Sequence, residues 1–561
     1  MSPRHFVLLA PILLSACPKA PPSQAARAAE SADDPLWTEV EKLAAEAESL
    51  LAHQEELIWK QWTQGTPSDV ARTYEGKEQL FSASSLTKID RLRQSLIAAY
   101  GCTFAARGEP VLCPSSTWDS LEVRALGHLH AYFLGEYLAK AIAEQSDAVS
   151  NLEASLSFTA GGREYSHRDL DRLLASEKDA EKRQALYAGA TRAVARLSAL
   201  VRVRDERTQA VLRELGSSYP AAGEEIRGGS LDRLAFLAQQ VLDLTQTAYT
   251  AAMGQLAERE WSVPLANLRR CDVPRLFRPQ ALAASFPKDA LLARAEATFS
   301  SMGLDLQAAK NITIDLRGEA RKNPRPLTVA VAIPGDVRVS LKLTGGALDQ
   351  AALLHQLAFA ARFASIKDPR QLHPDVHRSH EAVLRFAFQR LGSPALASAS
   401  ALLFEGLTDD PEWLQQHAGL SGEKVESQLA TSRAHRLYEI RERSARLLYD
   451  NLVHRGEEQD LRAVYHRLMS RATGLMLTAD DDARYVVDRD ELYQSADELQ
   501  AFVLAAQLRA ALKKRFGRTW WQSRSSGELL REIWSRGSTL YPQEVPNLWG
   551  EELSAGYLRE D

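Results

Sequence analysis

Apolar residues recur at three- and four-residue steps along most of the chain, the pattern of helices that bury one face. The run "WTEVEKLAAEAESLLAHQEELIWKQW" opens it, and "TKIDRLRQSLIAAY" and "LEVRALGHLHAYFLGEYLAKAIAE" carry it on. Two longer runs follow, "AEKRQALYAGATRAVARLSALVRVRDERTQAVLRELG" and "SLDRLAFLAQQVLDLTQTAYTAAMGQLAERE". After Glu381 the pattern returns in "AVLRFAFQRLG", "LASASALLFEGLTDDPEWL" and "QSADELQAFVLAAQLRAALKKRFG". Gly and Pro gather between the runs, in "GTPSD", "ARGEP", "GSSYPAAGEE" and "RGGS", as connections require. No fixed period recurs, which argues against a solenoid.

One region changes period. In "RPLTVAVAIPGDVRVSLKL", Val337, Val339, Leu341 and Leu343 alternate with Arg338, Ser340 and Lys342, the period of a strand. "IPGD" predicts a turn joining two strands. An edge such as Val337–Leu343, with Val337, Val339 and Leu341, is expected to pair with the backbone of an extended peptide. The expected fold class is mainly α: a large helical body with a small β-sheet. Residues 35–561 read as a single domain with two lobes, approximately 35–255 and 256–561, around a cleft.

The N-terminus changes the picture of where this body works. In "MSPRHFVLLAPILLSAC", a short basic start precedes the apolar run Phe6 to Leu14, which is too short to span a bilayer. Its end, "LSAC", resembles the bacterial lipoprotein box, so residues 1–17 are expected to be a signal peptide and Cys17 the lipidated residue. Each buried CH₂ of an acyl chain adds about 0.8 kcal/mol of membrane affinity. The stretch "PKAPPSQAARAAESADD", residues 18–34, is rich in Pro, Ala, Ser and charge and reads as a disordered tether. The expectation is a protein lipid-anchored in the bacterial cell envelope, at the outer membrane or on a periplasmic face, with the membrane as a partner. In that compartment Cys102 and Cys113 either close a small loop as a disulfide or remain two buried thiols. Cys271 is left as a small core residue.

Composition excludes one class of partner. The chain of 561 residues is 45% hydrophobic and 25% charged, and 68 Lys and Arg against 73 Asp and Glu leave a net charge of −5. No excess of positive charge is available to neutralise phosphates, so no nucleic-acid partner is expected. No nucleophile elbow, Walker loop or dinucleotide fingerprint appears. His128 and His130 in "GHLH" face apart on a helix and read as structural. The tryptophans, including Trp520 and Trp521, read as core.

The chemistry rests on "LTGGALDQAALLHQLAFAARFA", which follows the strand pair. A helix bearing H-E-x-x-H presents two imidazoles to zinc on one face, with the glutamate as base. The second half of the chain resembles the helical zinc oligopeptidases, the oligoendopeptidase F and thimet oligopeptidase group, related in fold to angiotensin-converting enzyme. The resemblance rests on "DVPRLFR", on the strand pair with its glycine turn and helix, on "FAFQRLG" with "LLFEGLTDDPEWL", and on "LYQSADELQAFVLAAQLRAALKKRFGRTWW" with "ELLREIWSRG". It covers roughly Ser230 to Leu553.

The resemblance implies the places of the working groups, and this chain departs at most of them. His355 stands at the first zinc ligand. Gln356 stands at the base and cannot ionise, and Phe359 stands at the second ligand and cannot bind zinc. The third ligand falls at Ser398 by the flanking match, or at Glu381 by a second match through "HEAV". The family's transition-state tyrosines fall at Gln494 and Glu498, with Tyr493 adjacent. A rebuilt metal set from "HPDVHRSHE" would combine His355 with His377 or His380 and Glu381. The expected function is an exported lipoprotein with an oligopeptidase-like fold and no catalysis, without a cofactor, which binds peptides. The alternatives are an active zinc metallopeptidase with a rebuilt site, and a surface scaffold.

Overall fold

A computed structural model describes residues 35–104, 111–113, 117–306, 309–372, 380–456 and 458–559. Cys17, the signal segment, the tether, His373 and His377 lie outside the described residues.

The first helix, α1 (Pro35–Gln64), buries Trp37, Val40, Ala44, Ala47 and Leu50, the three- and four-residue spacing read in the sequence. It packs on α2 (Ala83–Tyr100), α2 packs on α3 (Thr117–Ala141) and α3 on α4 (Ala180–Glu214), while α5 (Leu231–Trp261) packs chiefly on the helix Glu423–Arg455 of the second half. Helix starts and stops follow local chemistry. The Ser82 hydroxyl accepts the Ser85 N–H to start α2, and Gly101 at φ 65° ends it. The expected lobe boundary near residue 255 falls inside α5, which continues unbroken to Trp261.

The second half supplies α6 (Ala347–Ser365), α7 (Glu381–Arg390), α8 (Pro394–Glu405), α9 (Glu423–Arg455), α10 (Leu461–Thr473), α11 (Gln494–Phe516) and α12 (Arg524–Ser535). The largest apolar core is shared between the halves: Trp37 and Phe133 meet Phe386, Leu447, Leu499 and Val503. A second core lies under α6, where Val337, Val339, Leu353 and Leu357 pack with Phe404, Trp413, Trp520, Trp521 and Trp534. The tryptophan pair is thus core, as the sequence reading has it. No described helix is long and apolar enough to cross a membrane.

Two short hairpins lie in the first half, β1 (Thr103–Phe104) with β2 (Val111–Leu112), and β3 (Ser157–Ala160) with β4 (Arg163–Ser166). A disulfide joins Cys102 and Cys113 across the first, with Cα atoms 4.1 Å apart. Cys271 is a buried free thiol, which burial pushes up to about 12.

The sheet beside α6 has three strands rather than two: β5 (Ile312–Asp315), β6 (Leu327–Ala332) and β7 (Asp336–Ser340), in the order β5-β7-β6. Strand β6 returns antiparallel on β7, as the "IPGD" turn requires, and β5 pairs parallel on the other side. The peptide-adding edge expected at Val337, Val339 and Leu341 is therefore not an edge. Val337 and Val339 sit in the central strand, and all three side chains are buried. The four-residue strand from "NITID" carries too weak an alternation to be read in advance.

Gly345 and Gly346, at φ 101° and 102°, turn the chain from the sheet into α6, a backbone region that favours glycine. Asp349 fixes this turn, its Oδ2 accepting the Gly345 N–H at 2.8 Å and the Thr344 hydroxyl at 3.1 Å.

Candidate functional site

Helix α6 carries the three motif positions on its half-exposed side, and each has a partner other than a metal. Nδ1 of His355 lies 2.6 Å from Oε2 of Glu405, the last residue of α8. A carboxylate only accepts, so Nδ1 carries the proton. One helical turn on, the Phe359 ring stands 5.3 Å from the imidazole centroid, and Phe363 extends the stack at 6.1 Å. Gln356 turns toward the sheet, where the Thr328 hydroxyl on β6 donates to its Oε1 at 2.7 Å. The amide thus ties α6 to the sheet in the position where a base would face water.

Ser398 lies on α8, seven residues before Glu405, hence about two turns away on the same face. It is half-buried and brings no ionisable group. The other match, Glu381, begins α7 and pairs with Arg370 at 2.8 Å. His380 stacks on Trp37 at 3.6 Å between centroids. Among the described residues no three His, Cys, Asp or Glu side chains converge as metal ligands. The donor set therefore does not fit the zinc site that the resemblance implies.

The positions expected for tyrosines are also occupied otherwise. Glu498 on α11 pairs with Arg443 of α9, and Gln494 is the first residue of α11. Tyr493 is fully buried, with Tyr219 and His454 at 5.6 and 5.7 Å between ring centroids. Leu492 and Tyr493 both have positive φ, 46° and 61°, a costly conformation for residues with side chains. Arg227 holds this elbow by donating to the Glu491 and Leu492 carbonyls and to Asp497. Gly223 is needed beneath it, since a Cβ there would lie 2.4 Å from the Tyr493 ring. His128 is buried with Nε2 3.2 Å from the Ser538 carbonyl, and His130 pairs with Glu225, so both are structural.

Residues not singled out in the sequence complete the surroundings of Glu405. On α9, His435 Nδ1 lies 3.6 Å from Glu439 Oε2, one turn on, and Arg436 pairs with Asp409. The available signal was the four-residue spacing in "HRLYE", which places an imidazole and a carboxylate on one face. The two carboxyls are pushed apart in pKa. Burial opposes ionisation of Glu405, but its bond to His355 and the charges of His355, His435 and Arg436 outweigh it and hold Glu405 below its usual value. Glu439 is raised by burial, with Glu405 and Glu442 adding to the effect and His435 and Arg443 opposing it.

A small cavity of about 50 Å³ borders Glu405, Asp409, His435 and Arg436. At ~10–15 Å³ for each water it admits a few waters and no peptide. It meets a much larger cleft at Ala347, Leu348 and Gln428, which line both. That cleft, about 1180 Å³, runs past Trp62, Arg168, Phe277, Arg278 and Tyr438.

The sheet has two edge strands, β5 and β6, and on β6 side chains occupy part of the edge. The Ala330 N–H donates to Glu55 Oε2 of α1 at 2.7 Å, and Arg390 of α7 donates to the Val331 carbonyl. Glu55 and Arg390 themselves lie 3.5 Å apart. Two of the backbone groups that a strand added at β6 would use are thus already paired.

No protein-family model matches the chain, and no curated protein matches it in sequence. Among solved structures it is similar to the M32 carboxypeptidase from Deinococcus radiodurans R1, with a TM-score of 0.54 and 14% identity. The likeness covers 94% of this chain and 98% of that one. The fold is thus that of a large helical peptidase along nearly the whole chain.

Proposed function

We propose that this protein is a non-catalytic relative of the helical zinc peptidases that keeps the body and uses the large cleft to bind peptides. One observation carries the reading: His355 faces Glu405 and Phe359, and among the described residues no three ligating side chains converge. Peptide hydrolysis needs a large reduction of its barrier, which a peptidase zinc supplies through Lewis acidity and a water of lowered pKa. A lone imidazole tied to a carboxylate supplies neither. The assignment to the oligoendopeptidase F and thimet oligopeptidase group rests on the sequence motifs. The M32 neighbour supports the broader fold.

The reading includes export and a lipid anchor at Cys17. The N-terminal sequence supports it, and the Cys102–Cys113 disulfide suits an oxidising compartment. The reading carries no cofactor. The competing proposal is a zinc peptidase with a rebuilt site, and metal analysis of protein purified without chelator separates the two. The expected result is less than stoichiometric zinc and no chelator-sensitive cleavage of a peptide library. Stoichiometric zinc with such cleavage overturns the non-catalytic reading. A surface scaffold, the remaining alternative, is favoured if the library neither is cut nor binds. Mass spectrometry of the membrane-extracted protein is expected to find a diacylated or triacylated Cys17 at its start; an unmodified later N-terminus removes the anchor.

A further inference from the structure

We infer that the large cleft selects acidic peptides, an inference that rests on the peptide-binding reading above. Its lining carries seven Lys or Arg side chains against five Asp or Glu, in a chain whose net charge is −5. The sign of the cleft is therefore opposite to that of the molecule.

Pairing leaves that excess unchanged and concentrates it in few groups: Arg172 and Arg325 are taken by acids of the lining, and Arg270 and Arg484 by Asp488. Most of its acids are already neutralised or engaged. Glu442 takes Arg446 at 2.6 Å, Glu153 takes Arg325 at 2.7 Å and Asp169 takes Arg172 at 3.2 Å. Asp349 is engaged by the turn into α6. Three of the cations differ: among the described residues, Arg168 and Arg278 meet no carboxylate within ion-pair distance, and the Lys342 ammonium meets only the Glu319 carbonyl, at 3.2 Å. Arg168 is half-buried, so water screens its charge less than that of an open surface residue. An incoming carboxylate pairs with such a guanidinium through two parallel hydrogen bonds.

Space and shape fit a peptide. About 1180 Å³ exceeds the ~300–1,000 Å³ of small-ligand pockets. Trp62 and Tyr438, both half-buried, line the same cleft. A nucleic acid is the less suitable polyanion. Its evenly spaced phosphates would pass the five carboxylates of the same lining, whereas a peptide can place acids only where cations stand.

The test uses the folded protein and short labelled peptides of one length, built on alanine with glutamate, glutamine or lysine, followed by fluorescence anisotropy at low and high salt. Tightest binding of the glutamate peptide is expected, weakening as salt rises. The double variant Arg168→Glu, Arg278→Glu is expected to lose about tenfold in affinity for that peptide. Lys342→Gln, a milder change, gives a smaller loss and serves if charge reversal disturbs folding, which circular dichroism reports. Equal binding of the glutamate and glutamine peptides overturns the acidic selectivity while leaving peptide binding intact, as does an unaffected pair of variants. Failure of every peptide to bind overturns the peptide-binding reading as well. A single-stranded oligonucleotide that displaces the glutamate peptide more tightly than the peptide itself binds also overturns the inference.

Discussion

With Phe359 where a second imidazole would stand, the ring of His355 turns to Glu405, and the pair becomes a structural link between α6 and α8. A hydrogen bond to a charged group contributes about 1.5–3 kcal/mol net, so Glu405→Gln is expected to destabilise the protein by about 1–2 kcal/mol at pH 7. The sign of its pH dependence follows from the lowered pKa of Glu405. A carboxyl held low when folded stabilises above its unfolded pKa of about 4.3, and that stability is lost as pH falls through the folded value. The gap between wild type and variant in urea unfolding should therefore narrow below about pH 4.3. A gap that stays constant down to acid-induced unfolding would remove the ionised Glu405 from the account. His355, Gln356 and Phe359 were legible at this scale because their spacing on one helix is fixed by backbone geometry. Glu405, fifty residues away, was not.

At the scale of elements, the small sheet departs most from the reading of the sequence. Val337, Val339 and Leu341 have strand alternation, but alternation does not reveal how many neighbours a strand has. The short β5 covers one side of β7 and places it in the centre. The edges are β5 and β6, and on β6 Glu55 and Arg390 bind backbone groups that another chain would pair with. Glu55→Ala is expected to free the Ala330 N–H and to leave Arg390 without its acid, lowering stability by about 1–3 kcal/mol. Hydrogen exchange gives the sharper measurement: Ala330 should exchange faster while central residues such as Val339 stay protected. Unchanged exchange at Ala330 would show that another group holds the edge.

At the scale of the whole molecule, tight helical packing buries histidines that play no part in the cleft. His128 is pulled down to about 3, chiefly by burial and then by Arg124. His454 is pulled down to about 3 by burial and then by Arg489. Both are neutral when folded and titrate near 6.5 when unfolded. Below about pH 6.5 the unfolded chain binds more protons, so each histidine lowers stability by about 1.4 kcal/mol per pH unit as pH falls toward 3. Urea unfolding at pH 7 and pH 5 is expected to show this loss, and His128→Asn should remove about half of the histidine contribution. A stability that is flat between these pH values would contradict the neutral burial of these rings.

The amino-acid sequence by itself determined the helical body, the position of the sheet before α6 and the residues His355, Gln356 and Phe359 that stand there in place of an H-E-x-x-H pattern. These follow from local periodicity and from side chains one turn apart, which the backbone places without help from distant residues. Only the tertiary structure decided that β7 is central, that Glu55 and Arg390 bind the edge strand β6, and that Glu405 rather than Ser398 or Glu381 meets His355. Those contacts join residues from 25 to more than three hundred positions apart, and packing of whole elements, not local spacing, sets which groups arrive together.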